Sequence, residues 1–284
     1  MYAYITLVML GDKYVPGALA LGQSLLESGT RHQLICMITD DVSETAIQNL
    51  QTTYHSVITV PYIKFTCGNM MTQRQKELYS HWIDYSFTKW RAFQMLDYEK
   101  LLYLDADHVV VKNIDHLFEL PAPALCFRSE FNKNYETYRH GDPITSHDLR
   151  YFYKNLTSLA ATGTLLLKPD KIIFDTIMKQ LNTHNRFLKS NQFHNGFEEV
   201  VLVQSLVYLE LDATQLSPLY VWNAGCYKNI QKQEPFVINY YGDKKPWNTI
   251  TVTPPRFIDE YIWRYFYGAC LQRITTKENN LITL

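Results

Sequence analysis

KLLYLDADHVVVKNIDHLF, residues 100–118, is the stretch on which the fold turns. An apolar run, Leu101 to Leu104, ends in Asp105-Ala106-Asp107, and the chain turns apolar again at Val109-Val110-Val111. Short apolar runs of this kind read as buried strands. On a strand reaching residue 107, Asp105 and Asp107 would share one side, because strand side chains repeat with period two. Two carboxylates so placed repel unless donors or a cation lie between them. A hard divalent ion such as Mg²⁺ or Mn²⁺ satisfies both and keeps positions open for phosphate oxygens. The competing reading makes them turn or capping residues, as Asp115 would be for a helix starting at His116.

Working outward, the preceding sequence alternates strand and helix signals. Residues 3–8, 34–39 and 56–62 read as strands. Helical patterns run from about Pro16 to Leu26, from a capping stretch Asp40-Asp41-Val42-Ser43 to about Leu50, and over 86–96, while 63–80 reads as a loop or short helices. Pro16 suits a first helical turn because its missing N–H would have no intrahelical partner. Strand–helix–strand alternation predicts an α/β fold, a Rossmann-like and mostly parallel sheet flanked by helices. In such sheets ligands gather beyond the carboxyl ends of strands, where Asp105 and Asp107 fall.

The second half is less regular. Residues 124–130, 161–169 and 236–241 read as strands, 171–181 and 196–209 as helices, and about 257–271 as an aromatic amphipathic helix. One domain over 1–284 is expected. It falls into halves of about 1–120 and about 121–250.

Composition narrows the partners. The formal charge is −1 and Lys and Arg are scattered, so no basic stripe marks a nucleic-acid partner. The five cysteines lack CxxC spacing, which points away from a zinc site or a disulfide framework. No segment approaches the ~18–20 apolar residues that span a bilayer. The N-terminus lacks a basic n-region, so a cytoplasmic location without membrane attachment is expected, and the sequon at Asn155 would go unused.

A carboxylate-held metal admits two chemistries. In haloacid-dehalogenase-type phosphatases an Asp-x-Asp follows a first strand and its first Asp is the nucleophile. Here about 100 residues precede the motif, and Gly242-Asp243 lacks a following acid. In glycosyl transfer the metal bridges the carboxylates and a nucleotide-sugar diphosphate.

From residue 3 to about 248 the sequence resembles the glycogenin and galactinol synthase group, glycosyltransferase family 8. Four segments carry the resemblance: YITLVMLGDKYVPGALALGQSL, YSFTKW, KLLYLDADHVVVKNIDHLFELP and GDKKPWNT. It implies an A-type glycosyltransferase fold, retaining transfer from a UDP-sugar, and Mn²⁺ with Mg²⁺ as a substitute. The half of about 1–120 would bind the nucleotide and that of about 121–250 the sugar or acceptor; the acceptor would be a glycan, polyol or protein, and a homodimer is compatible.

By the same resemblance Tyr14 faces uridine, Lys89 and Lys245 meet the nucleotide sugar, and Gly242 lets backbone approach the diphosphate. Leu7, Arg74, Ala106, Thr162, Gly163 and Asn223 complete the donor set, Asn223 also toward the acceptor side, with Asp105 and Asp107 holding the metal and Asn239 as a weaker third partner. Three positions depart from the family. Its third metal ligand, a His three residues before Gly242, is Asn239 here, a neutral oxygen donor. Its Asn-Ser/Ala-Gly strand end reads Ala161-Thr162-Gly163. Its Asp-x-x-Asp-Gln cluster reads Asn195-Gly196-Phe197-Glu198-Glu199. Glu198 and Asn195 are the catalytic candidates, Glu198 for stabilising a positive anomeric centre or for a transient nucleophilic role. The nucleotide side is preserved and the sugar side altered, which leaves a second reading open: a nucleotide-sugar binder without turnover.

Overall fold

The apolar runs become strands, and their ends decide where polar side chains collect. The computed structural model describes residues 1–70, 72–128, 137–155, 159–189, 198–226, 234–242, 244–248, 255 and 257–282. It divides into two compact units. One comprises residues 1–2, 61–103 and 117–218; the other comprises 3–60, 104–116 and 219–284.

The second unit opens with β1 (Tyr2–Val8), α1 (Val15–Glu27), β2 (Gln33–Ile38), α2 (Glu44–Gln51) and β3 (Ser56–Thr59). The three strands are parallel, with Ile5 opposite Ile35 and Met37 opposite Ile58. Crossover helices bury them on both faces, which is why β1 and β2 are apolar almost throughout. Pro16 sits in the first turn of α1 as expected. The Ser43 hydroxyl caps α2 by accepting from the Ala46 N–H, and itself donates to Asp12 at 2.6 Å.

The first unit carries β4 (Lys100–Leu104), β6 (Ala124–Arg128), β7 (Pro143–Ile144), β8 (Leu159–Leu167) and β9 (Ala213–Gln215). They lie in the order β4-β8-β6-β9-β7. β6 runs antiparallel to β8 and parallel to β9, so this half is mixed rather than mostly parallel. The unit's helices are α3 (Gln73–Tyr79), α4 (Ser146–Asn155), α5 (Lys171–Gln180) and α6 (Glu198–Tyr208). A capping box between Thr72 and Gln75 opens α3, a short helix inside the stretch read as a loop or short helices.

Two further expectations change. Residues 83–94 form a 3₁₀ run, not an α-helix. Phe87, Trp90 and Phe93 are all fully buried and recur every three residues, the period that aligns side chains on a 3₁₀ helix. β4 stops at Leu104 instead of continuing to residue 107, and β5 (His108–Val110) belongs to a separate three-stranded sheet. The His108 N–H donates to the Asp105 carbonyl at 3.0 Å, closing a turn across the two acids. Period-two geometry therefore does not place them; the turn does.

That small sheet, in the second unit, is ordered β10-β11-β5, with β10 (Trp222–Asn223) parallel and β5 antiparallel to β11 (Val237–Asn239). One face packs Val109, Ile238 and Tyr240 against Ala20 and against Trp263 of α7 (Asp259–Ile282). Burying each such side chain contributes roughly 1.5–3 kcal/mol. Asp115 also departs from the capping role. Its carboxylate accepts from the Tyr4 and Thr30 hydroxyls, both at 2.6 Å, tying β5's exit to β1 and the α1–β2 turn. Those donors outweigh partial burial and hold its pKa below the usual carboxylate value.

Among the described residues no helix is long and apolar enough to cross a membrane.

Candidate functional site

The polar face of the small sheet is the starting point. Pairing sets Asn223 opposite Asn239, and Asn239 opposite His108, so three polar residues form a row across β10, β11 and β5. Val109, Ile238 and Tyr240 alternate onto the opposite, apolar face, as strand periodicity requires. The Asn239 amide N–H reaches the Asn223 side-chain oxygen at 3.4 Å.

Asp107 adjoins this row. The Tyr240 N–H donates to its backbone carbonyl at 2.9 Å. One carboxylate oxygen, Oδ1, lies 3.1 Å from His108 Nδ1; the other, Oδ2, accepts from Lys245 Nζ at 2.6 Å. Lys245 also donates to the Tyr240 carbonyl at 2.9 Å and is 6% exposed. Burial alone would raise the Asp107 pKa, but Lys245 and His108 outweigh it and hold the carboxyl well below its usual range. Burial works against the Lys245 charge too, yet Asp107 more than compensates and its pKa is raised. Both groups stay charged through neutral pH.

Asp105, Asp107 and His108 each offer a ligand atom, and these atoms lie within 4.8 Å of one another. Two carboxylates and an imidazole suit a divalent cation. Two further atoms bear on the fit. His108 Nε2 and Asn239 Oδ1 are shut off from solvent with no hydrogen-bond partner among the described residues. Such atoms cost roughly 1–3 kcal/mol each unless something satisfies them.

Tyr14 closes the same neighbourhood. Its ring meets Trp247 edge-on at 5.3 Å between centroids, and Lys245 Nζ lies 5.8 Å from its centre. Desolvation raises its hydroxyl pKa, so it is neutral near pH 7. Leu7 and Ala106 are buried, and Gly242 has φ +101, a conformation that glycine tolerates.

Gly17, on α1, is a residue that the sequence did not single out. A Cβ there would collide with the Ala106 carbonyl oxygen and lie 2.8 Å from the Trp247 ring. Gly17→Ala is expected to push back the Asp105–Asp107 turn and cost about 1–3 kcal/mol. Gly268→Ala, on α7 with nothing within 4 Å, should stabilise by roughly 0.5–1 kcal/mol. Urea midpoints of the two variants should therefore move in opposite directions. A Gly17→Ala midpoint at or above the native value would refute the close approach.

The first unit holds a separate cluster. Lys89, 4% exposed in the 3₁₀ run, donates to Thr162 Oγ1 at 3.1 Å and lies 4.0 Å from Glu198 Oε1. Its ammonium is 4.8 Å from the Tyr103 ring centre, within cation–π reach. Glu198 is the first described residue of α6 and is buried. Gly163 follows Thr162 on β8, half-buried. Arg74 is exposed on α3. Asn195, Gly196 and Phe197 lie outside the described residues, as do Asp243 and Thr249 of the GDKKPWNT segment and Leu156-Thr157 of the sequon. The structure thus gathers Tyr14, Asp105, Asp107 and Lys245 in one unit and Lys89, Thr162 and Glu198 in the other. His108 was missed because it reads as the first residue of an apolar strand.

Comparison with known proteins bears on the family and the fold. An uncharacterized protein of Acanthamoeba polyphaga mimivirus is 29% identical over 254 residues, covering 88% of this chain and 83% of that one. Glycogenin of Neurospora crassa is 36% identical over 186 residues, but these cover 63% of this chain and 25% of glycogenin, so the match spans a quarter of that protein. Among solved structures, the galactosyltransferase LgtC in complex with donor and acceptor sugar analogs superposes with a TM-score of 0.60 at 12% identity. The likeness covers 95% of this chain and 96% of that one, and it bears on the fold alone. Residues 5–155, more than half the chain and including the acidic turn, match Glycosyl transferase family 8. Of the two chemistries open to a carboxylate pair after a strand, the match selects sugar transfer: the chain belongs to glycosyl transferase family 8 and is a glycosyltransferase.

Proposed function

We propose that the chain transfers a sugar from a UDP-sugar to a hydroxyl acceptor with retention of configuration, using Mn²⁺ or Mg²⁺ held at Asp105 and Asp107. The observation that carries this reading is the cluster of Asp105, Asp107 and His108 ligand atoms within 4.8 Å, in the segment matched by the family. A divalent ion there would neutralise the diphosphate as it departs. The C1–O bond to the diphosphate breaks with its electron pair leaving on UDP, and the acceptor oxygen bonds to C1 as its proton is released.

The chain's own groups divide that work. Lys245, charged and anchored beside Asp107, supplies positive charge where the leaving group turns negative. Tyr14 offers the uracil ring an aromatic edge, and Gly242 leaves room for the diphosphate beside the backbone. Leu7, Ala106 and Asn223 line the nucleotide and donor side, and Arg74 adds an exposed charge. Lys89, Thr162 and Gly163 address the donor sugar. Glu198, with Asn195, stabilises the positive anomeric centre. The third metal donor comes from the polar row, in which Asn239 stands at the family's His position.

UDP release from a panel of UDP-sugars, with and without Mn²⁺ and with glycan, polyol and protein acceptors, tests the reading. Mn²⁺-dependent release from one donor is expected. UDP binding that depends on Mn²⁺, with no release from any donor–acceptor pair, would favour the binder reading, which the Asn239 substitution keeps open.

A further inference from the structure

We propose that His108 is the third protein ligand of this ion, and that Asn239 orients it instead of binding the metal. The inference deepens the metal reading above and rests on it. The family's imidazole at position 239 is missing, but the antiparallel pairing of β5 with β11 sets His108 directly across from that position. The ligand has moved one strand sideways.

Three observations converge on this assignment. First, His108 Nδ1 lies 3.1 Å from Asp107 Oδ1. Adjacent ligands of an octahedral ion, each about 2.1 Å from the metal, stand about 3 Å apart, so this pair has the spacing of one coordination edge. Asp107 can spare Oδ1 because Lys245 engages Oδ2.

Second, with its Nδ1 lone pair committed to the ion, a neutral His108 must carry its proton on Nε2. That nitrogen is buried without a partner among the described residues, and so is Asn239 Oδ1 on the facing strand. A donor N–H and an acceptor oxygen, opposite each other in register, satisfy one another directly or through one water. Third, the Asn239 amide N–H already points to Asn223 Oδ1, which leaves the Asn239 oxygen as the end available to His108. The row Asn223–Asn239–His108 then fixes the tautomer and the ring plane, as the partners of metal-bound histidines do.

An Asn at 239 therefore does not strip the site of nitrogen. It exchanges a ligand for a support, while His108 takes the ligand's place.

The test is pulsed EPR on the full chain with Mn²⁺ and UDP, recording ¹⁴N modulation and Mn²⁺ affinity. Expected are an imidazole-type ¹⁴N signal in the native protein, its loss in His108→Gln, and its retention in Asn239→Ala. Mn²⁺ affinity should fall about 10–100-fold in Asn239→Ala, and further in His108→Gln. Because His108 is buried, the native protein made with ¹⁵N-histidine gives a reading that needs no variant: the ¹⁴N pattern must convert to ¹⁵N. Mn²⁺ bound with UDP but lacking histidine modulation overturns the assignment and leaves the metal site standing. A signal that survives His108→Gln also overturns it. Absence of any Mn²⁺ binding, with UDP still bound, overturns the metal reading itself and the inference with it.

Discussion

Asp107→Ala is expected to abolish Mn²⁺-dependent UDP release, by on the order of 10³-fold or more, and to destabilise the chain as well. The two losses have different origins. The Asp107 carboxylate is the anionic partner of the buried Lys245 ammonium, which otherwise meets the Tyr240 carbonyl. Removing one member of a buried pair leaves the other charge uncompensated and costs roughly 3–5 kcal/mol. Asp107→Asn separates the effects. Its amide oxygen keeps the shape and an acceptor for Lys245, so stability should fall less, while the charge that holds the ion is gone. Urea midpoints and UDP release, measured on both variants, check this. Asp107→Asn with native turnover would remove Asp107 from the metal site.

The pH dependence follows from the same pair. Asp107 is held below its usual pKa, so its contribution to stability is complete above the unfolded value of about 3.9 and fades as pH falls through the folded one. Lys245 is raised, so its contribution is complete below about 10.4 and fades as pH rises through the folded value. Between roughly pH 5 and 8 the pair is constant, and any change in turnover there belongs to other groups.

What the sequence made legible follows its periodicities. β1, β2 and β4 are short apolar runs, α2 follows the capping stretch from Asp40 to Ser43, and the two acids sit in the turn just beyond β4. The 3₁₀ run was not legible as such, because Phe87, Trp90 and Phe93 recur at a spacing that an α-helix also shows. β7, β9 and β10 are two or three residues long and take their form from neighbouring strands, so they leave no pattern of their own. The same limit hid His108. Its importance lies in pairing with Asn239, 131 positions away in the numbering, and cross-strand register is a property of the fold. Gly17 is similar: a glycine early in a helix carries no sign that a carbonyl and an indole will press against it.

In the first unit, replacing either member of the Lys89–Glu198 pair should cost about 3 kcal/mol, and replacing both should cost less than the sum. Lys89 is 4% and Glu198 6% exposed, with Nζ and Oε1 4.0 Å apart. Neither charge is screened by water, so Lys89→Met leaves a carboxylate in a poor solvent and Glu198→Gln leaves an ammonium there. The double variant removes both penalties. Thr162 softens the second case, because it accepts from Lys89 through both its hydroxyl and its backbone carbonyl. Kinetics supply an independent readout. If the Glu198 carboxylate acts on positive charge that develops only during transfer, Glu198→Gln should lower kcat about 10²-fold with the donor KM little changed. A purely structural role predicts a stability loss with kcat intact in the folded fraction. Stability effects that add to within about 0.3–0.5 kcal/mol would show that the two charges do not act as a pair. An unchanged kcat would return Glu198 to the scaffold and leave Lys89 as the sugar-side charge of the first unit.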